Sequence, residues 1–180
     1  MNKCTFAHYR NWVIINFFLD TGIRALSLTY IKIKDLNLEM QEVEIRHTKS
    51  RRERTLPLSE TMTEILYDYL DIRNGELQDY LFPNVYGERL TRSGLTHAIR
   101  SFNKSRNVYK SSIHGFRHSF SKIFIKNGGT ISQLRKILGH KNIETTDKYI
   151  NLLISEFKDD YSKLNPLESL TEIKKAIKFK

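Results

Sequence analysis

The chain has one cysteine, Cys4, so it cannot form an internal disulfide, and a reducing, cytoplasmic setting fits. Three prolines and eight glycines in 180 residues leave little room for a flexible linker or a low-complexity tract, and no internal repeat is present. The longest apolar run near the start, Trp12 to Leu19, is interrupted by Asn16. It is too short to cross a bilayer and no cleavage-site pattern follows it, which makes it a core helix and leaves no membrane partner. Acid is missing too: between Glu88 and Glu144 there is no Asp or Glu.

That same stretch holds twelve Lys or Arg and four His, within a chain of net charge +10. A run of one sign is most often a solvated face. Ordinary surfaces mix both signs, however, and a pI near 9.7 raises the local concentration of polyanions. Nucleic acid is therefore the leading partner.

The pattern of apolar residues predicts a mainly α fold with a small antiparallel β-sheet (α+β). Thr5 to Asp20 reads as a helix with Trp12, Ile15, Phe18 and Leu19 on one face, ended by Thr21-Gly22. Ile23 to Tyr30 starts a second helix, with Leu26 and Tyr30 inward. Val43 to Arg46 alternates like a strand and Thr55 to Leu58 ends another, so the basic segment from His47 to Arg54 becomes a hairpin tip. Ser59 is a good N-cap for a helix with Met62, Ile65, Leu66, Tyr69 and Leu70 as its stripe. Residues 80–84 form a short extended piece and a turn. A helix over Thr91 to Asn103 presents Leu95, Ile99 and Phe102.

Along the helix from His114 to Asn127, Phe116, Phe120, Ile123 and Phe124 form one side. His114, Arg117, His118 and Ser121 form the opposite, polar stripe. Gly128-Gly129 stops it. Ile131 to Leu138 is a short helix ended by Gly139-His140, and another begins at Thr145. The tail holds one more helix from Glu168 to Phe179, with Leu170, Ile173 and Ile177 on one side.

Cutting DNA without a metal requires a nucleophile, cations for the phosphate oxygens, a proton donor for the leaving oxygen and an acceptor for the nucleophile's proton. Four blocks supply candidates: Thr21-Gly22-Ile23-Arg24, His47-Thr48-Lys49 with Glu53-Arg54-Thr55-Leu56-Pro57-Leu58, His114-Gly115-Phe116-Arg117-His118, and Leu138-Gly139-His140 with Thr145-Thr146 and Tyr149. Taken together, and in this order, they resemble the motifs of the tyrosine recombinase (phage integrase) family. The nine-residue step from His140 to Tyr149 is the most specific of them, and it alone singles out Tyr149 among nine tyrosines.

The resemblance implies the tyrosine recombinase catalytic-domain fold over residues 1–154, with residues 155–180 as a C-terminal tail whose helix packs on a neighbouring protomer or on its own domain. It implies that Arg24 and Arg117 clamp the scissile phosphate, a task suited to the planar fork of guanidinium. Lys49 would protonate the leaving 5′ oxygen. His114 would bond a phosphate oxygen and help manage the nucleophile's proton, and His140 would bond another. His118 would brace the site from behind. Tyr149 would attack phosphorus and form a 3′-phosphotyrosyl link. Arg51, Arg52 and Arg54 on the hairpin would hold DNA backbone. No cofactor and no metal are implied. The partners would be double-stranded DNA and other protomers, as a tetramer on DNA and a monomer when free.

Two departures stand out. Ser27 occupies the position, three after Arg24, where the family usually has an acid. Full recombinases carry an N-terminal DNA-clamping domain, and here Met1 falls just before the catalytic domain. The chain is thus expected to be a fragment or a naturally short member that binds DNA weakly by itself. A rival reading, a DNA-binding module without catalysis, explains the charge but not the ordered set, whereas a type IB topoisomerase-like enzyme shares the Arg, Lys, Arg, His and Tyr roles but is disfavoured by the blocks His114 to His118 and Leu138 to His140. A metal nuclease would need carboxylates that the basic stretch lacks.

Overall fold

A computed structural model describes residues 5–47, 53–109 and 112–139. In chain order the elements are α1 (Phe6–Thr21), α2 (Ala25–Leu28), a 3-10 turn (Ile33–Asp35), β1 (Leu36–Asn37), β2 (Glu42–Ile45), β3 (Arg54–Pro57), α3 (Glu60–Arg73), α4 (Arg92–Lys104), α5 (Ile113–Lys126) and α6 (Ile131–Leu138). The described residues are therefore mostly helical with one three-stranded antiparallel sheet, ordered β1-β2-β3.

The helices begin where a hydroxyl can replace a missing backbone acceptor. Thr5, Ser59, Thr91 and Ser112 each accept from the backbone N–H three residues on. The predicted stripes of α3 and α4 are found as read: Met62, Leu66 and Tyr69 are buried with Ile65 and Leu70 packed beside them, and Leu95, Ile99 and Phe102 are buried. The hairpin also holds, with Ile45 paired to Arg54 and Val43 to Leu56. Its third strand, β1, is only two residues long and gave no alternating signal.

Three inward faces differ from the expectation. In α1 the buried stripe is Val13, Ile14, Phe17 and Phe18, whereas Trp12 and Leu19 are 41% and 40% exposed. Trp12 instead stacks on Tyr9. Leu26 is exposed and Leu28 takes the inward position in α2, while Tyr30 is half-buried. In α5, Ile123 is exposed and the supposedly polar Arg117 and Ser121 are buried. The helix is turned so that both its phenylalanines and its arginine reach the core. The guanidinium tolerates this because carbonyls of other elements receive it, and Ser121 Oγ donates back to the Arg117 carbonyl at 2.8 Å.

α1 is the central helix, in contact with α3, α4 and α5. Its fully buried aromatics each contribute on the order of 2 kcal/mol of apolar burial. Phe17 meets Phe82 edge to face, and Phe18 stacks on Phe116 of α5. Arg10 is also buried, donating to the Pro83 carbonyl and to Asn11 Oδ1, and burial lowers its pKa.

The turn after α1 fixes the geometry that matters most below. Gly22 has φ +58°, and its N–H closes the helix on Phe18 O at 3.0 Å. An added Cβ would collide with the Phe120 ring of α5 and lie 2.9 Å from Leu138 Cδ2 of α6. Gly22→Ala is therefore expected to cost about 2–4 kcal/mol, combining left-handed strain with overpacking. Urea denaturation measures it, and a loss below about 1 kcal/mol would mean that α5 simply moves aside.

Candidate active site

A helix ends with carbonyls that have no partner within it, and its C-terminus carries partial negative charge. At the end of α6 these carbonyls receive three guanidiniums from three distant stretches of chain. Arg24 Nη1 donates to Leu138 O at 3.2 Å. Arg117 Nη2 donates to the same oxygen at 2.8 Å, and its Nη1 donates to Gly22 O at 2.6 Å. Arg54 Nη1 donates to Ile137 O at 2.7 Å.

Local structure explains each placement. Arg24 is the N-cap residue of α2, two residues beyond the Gly22 turn. Arg54 opens β3 on the same face as buried Leu56. Arg117 lies in the second turn of α5 and is only 4% exposed. The Gly22 turn thus supplies both the close approach of α5 and an acceptor for its arginine.

The carbonyls orient these cations but do not neutralise them. Among the described residues no carboxylate pairs with Arg24 or Arg54. Burial lowers the pKa of Arg24. Burial, and then the neighbouring Arg24 charge, bring Arg54 down to about 10. Two part-buried like charges side by side are unfavourable until an anion joins them. Each guanidinium has five N–H donors, so one bond to a carbonyl leaves Arg24 capacity for oxygens of a tetrahedral anion.

His114 and His118 lie one turn apart on the exposed side of α5, with ring centroids 4.6 Å apart and edge to face. Burial, then the His114 and Arg117 charges, lower the pKa of His118. A histidine depressed in the fold resists protonation that the unfolded chain accepts. Stability from this source is therefore intact above about pH 6.5 and is lost as pH falls below that value toward the folded pKa. Melting temperatures at pH 7.5 and 5.5 should differ less in His118→Gln than in the wild type. Equal differences in the two proteins would remove His118 from the pH response.

On the other flank, the Tyr30 and His47 rings stack at 3.7 Å, and the Arg89 guanidinium lies over Tyr30 at 4.3 Å. This fixes the leg of the hairpin that leaves β2.

These positions can be set beside known proteins. The sequence profile described as "Phage integrase family" matches residues 1–156. The chain belongs to the phage integrase family. Tyrosine recombinase XerD of Staphylococcus haemolyticus is 31% identical over 164 residues, covering 88% of this chain and 55% of that protein. XerD of Listeria innocua is 30% identical, covering 87% and 55%. The chain thus spans about half the length of the curated relatives it matches. The crystal structure of XerA recombinase superposes with a TM-score of 0.77 at 30% identity, covering 88% of this chain and 57% of that one. XerH site-specific recombinase bound to difH substrate shares the fold, with a TM-score of 0.69 at 24% identity over 88% of this chain and 49% of that one.

Of the residues singled out by the integrase motifs, Arg24 and Arg117 are brought onto one carbonyl oxygen, and His114 and His118 stand together on α5. Lys49, Arg51, Arg52, His140 and Tyr149 lie outside the described residues, as do the predicted helices beyond Thr145 and the proposed boundary at residue 154. Ser27, at the position of the family's usual acid, is 5% exposed, and no carboxylate of the described residues takes the acid's place beside Arg24. No described helix is long and apolar enough to cross a membrane. Motif reading missed the company Arg54 keeps. The signal was there: the two-residue period of β3 places Arg54 on the face of Leu56, not on the solvent face.

Proposed function

We propose that this chain is the DNA-cleaving part of a site-specific recombinase that works through a 3′-phosphotyrosyl intermediate. One observation carries the reading: three guanidiniums gather at the end of α6, two of them without a carboxylate partner among the described residues, where the Leu138-Gly139-His140 motif begins. A phosphodiester meets that need for negative charge.

In the proposed reaction the Tyr149 oxygen bonds to phosphorus while the P–O5′ bond breaks. The phenolic proton leaves with the help of His114, and Lys49 gives a proton to the departing 5′ oxygen. Arg24, Arg117, His114 and His140 hold the charge on the pentavalent phosphorus, and His118 supports His114. A 5′ hydroxyl of a partner duplex then attacks phosphorus, and Tyr149 leaves and recovers its proton. One phosphoester replaces another at each step, so neither ATP nor a metal is required.

The same reading makes double-stranded DNA the substrate and further copies of the chain the partners, four on DNA. Its setting is the cytoplasm, and integration and excision of a mobile element is the preferred biology. Arg51 and Arg52 would hold DNA backbone.

The test is direct. The chain is incubated with a randomised pool of nicked duplexes in EDTA, and protein that remains on DNA in hot detergent is collected. A detergent-resistant adduct, with the nucleotide on the peptide containing Tyr149, is the expected result. DNA binding with no adduct would make this a binding module instead.

A further inference from the structure

We propose that Arg54 is a positioning residue of the reaction centre, holding the α6 end on which Arg24 and Arg117 rest, and not a contact to the outer DNA backbone. This inference rests on the recombinase reading above and adds a residue to it.

Four observations lead there. The register of the hairpin sets Arg54 opposite Ile45, and Ile45 is buried. Its Nη1 is spent on Ile137 O at 2.7 Å, one residue before the carbonyl shared by Arg24 and Arg117. Its Nε is buried and has no hydrogen-bond partner among the described residues. The Arg24 charge acts on it, and no carboxylate among the described residues offsets its own. A backbone clamp on a hairpin tip would instead be solvated, with a free fork.

The physical consequence is twofold. Arg54 joins β3 to the last turn of α6, so the strand leading out of the Lys49 hairpin and the helix leading into His140 share one tether. It also adds positive charge beside Arg24, which is unfavourable in the empty site and relieved when an anion arrives. Removing Arg54 should thus weaken the hold on an anion at Arg24 and loosen the shared carbonyl.

Arg54→Met and Arg54→Lys test this in the full chain. At saturating DNA, adduct formation by the Met variant is expected to fall at least about tenfold, with DNA affinity changed less than about threefold. Lysine keeps the charge and one donor, so it should restore most of the rate. Inorganic sulfate should raise the melting temperature of the wild type and the Lys variant, but not of the Met variant.

The opposite pattern overturns the inference: an unchanged saturated rate with weaker binding and a salt slope reduced by about one marks an outer backbone contact. Equal loss of rate in both variants, tracking equal loss of thermal stability, marks a merely structural arginine and overturns it too. If the wild type forms no adduct, the recombinase reading fails. The sulfate response then still decides whether Arg54 serves an anion site.

Discussion

Tyr149→Phe should abolish the covalent adduct while leaving DNA affinity within about threefold of the wild type. The substitution removes one oxygen and, at neutral pH, no charge, so phosphate contacts that dominate affinity are untouched. Without that oxygen no bond to phosphorus can form, and the rate should drop by on the order of 10⁴-fold or more. Nine tyrosines make a control essential. Tyr86 and Tyr109 are largely exposed, and phenylalanine at either should leave the adduct intact. Gel mobility in detergent gives the adduct and fluorescence anisotropy gives the affinity. An adduct that persists in Tyr149→Phe would place the nucleophile elsewhere and dissolve the proposed mechanism.

The second large effect is expected at Arg117. Methionine there leaves the Gly22 carbonyl without its donor and takes the stronger of two donors from Leu138 O. A buried polar group left unpaired costs about 1–3 kcal/mol, so the fold should lose about 2–5 kcal/mol in total. Under the proposed mechanism, cleavage should fall on the order of a hundred- to a thousandfold beyond anything explained by unfolding, because that mechanism loses one donor to the developing phosphorane charge. Lysine is no remedy. A single ammonium cannot span oxygens contributed by two different elements as the fork does. Denaturant midpoints and single-turnover rates measured below the melting transition separate the two losses. A variant that unfolds more easily yet cleaves at the wild-type rate would make Arg117 a strut and nothing more.

Much of this was open to reading from residue types alone. Hydroxyls before apolar periods marked helix starts, as at Ser59, and the stripes of α3 and α4 were sharp because polar residues filled their other faces. In α1 the period could not decide. Trp12, Val13, Ile14, Ile15, Phe17, Phe18 and Leu19 surround the helix with apolar side chains, and only the neighbours α3, α4 and α5 choose the inward face. Arg117 failed for the opposite reason. A cation looks like a solvent-facing residue, and its burial depends on carbonyls 95 and 21 residues away in the chain. Arg54 sits between these cases. Its basic neighbours Arg51 and Arg52 suggested an outer clamp, while the alternation that shows it on the face of Leu56 went unused. The motifs name candidate residues because they are sets of residue types at fixed steps. They could not show that the end of a short helix would be the platform for three of the cations.

That platform has a bearing on how the protein is made. The oxygens that bring Arg24, Arg54 and Arg117 together belong to Ile137 and Leu138, although Arg117 also rests on Gly22 O. A growing polypeptide can contain all three arginines and still lack their common seat until those two residues have emerged from the ribosome. Prematurely terminated products shorter than this would carry the positive charge without the ordered centre.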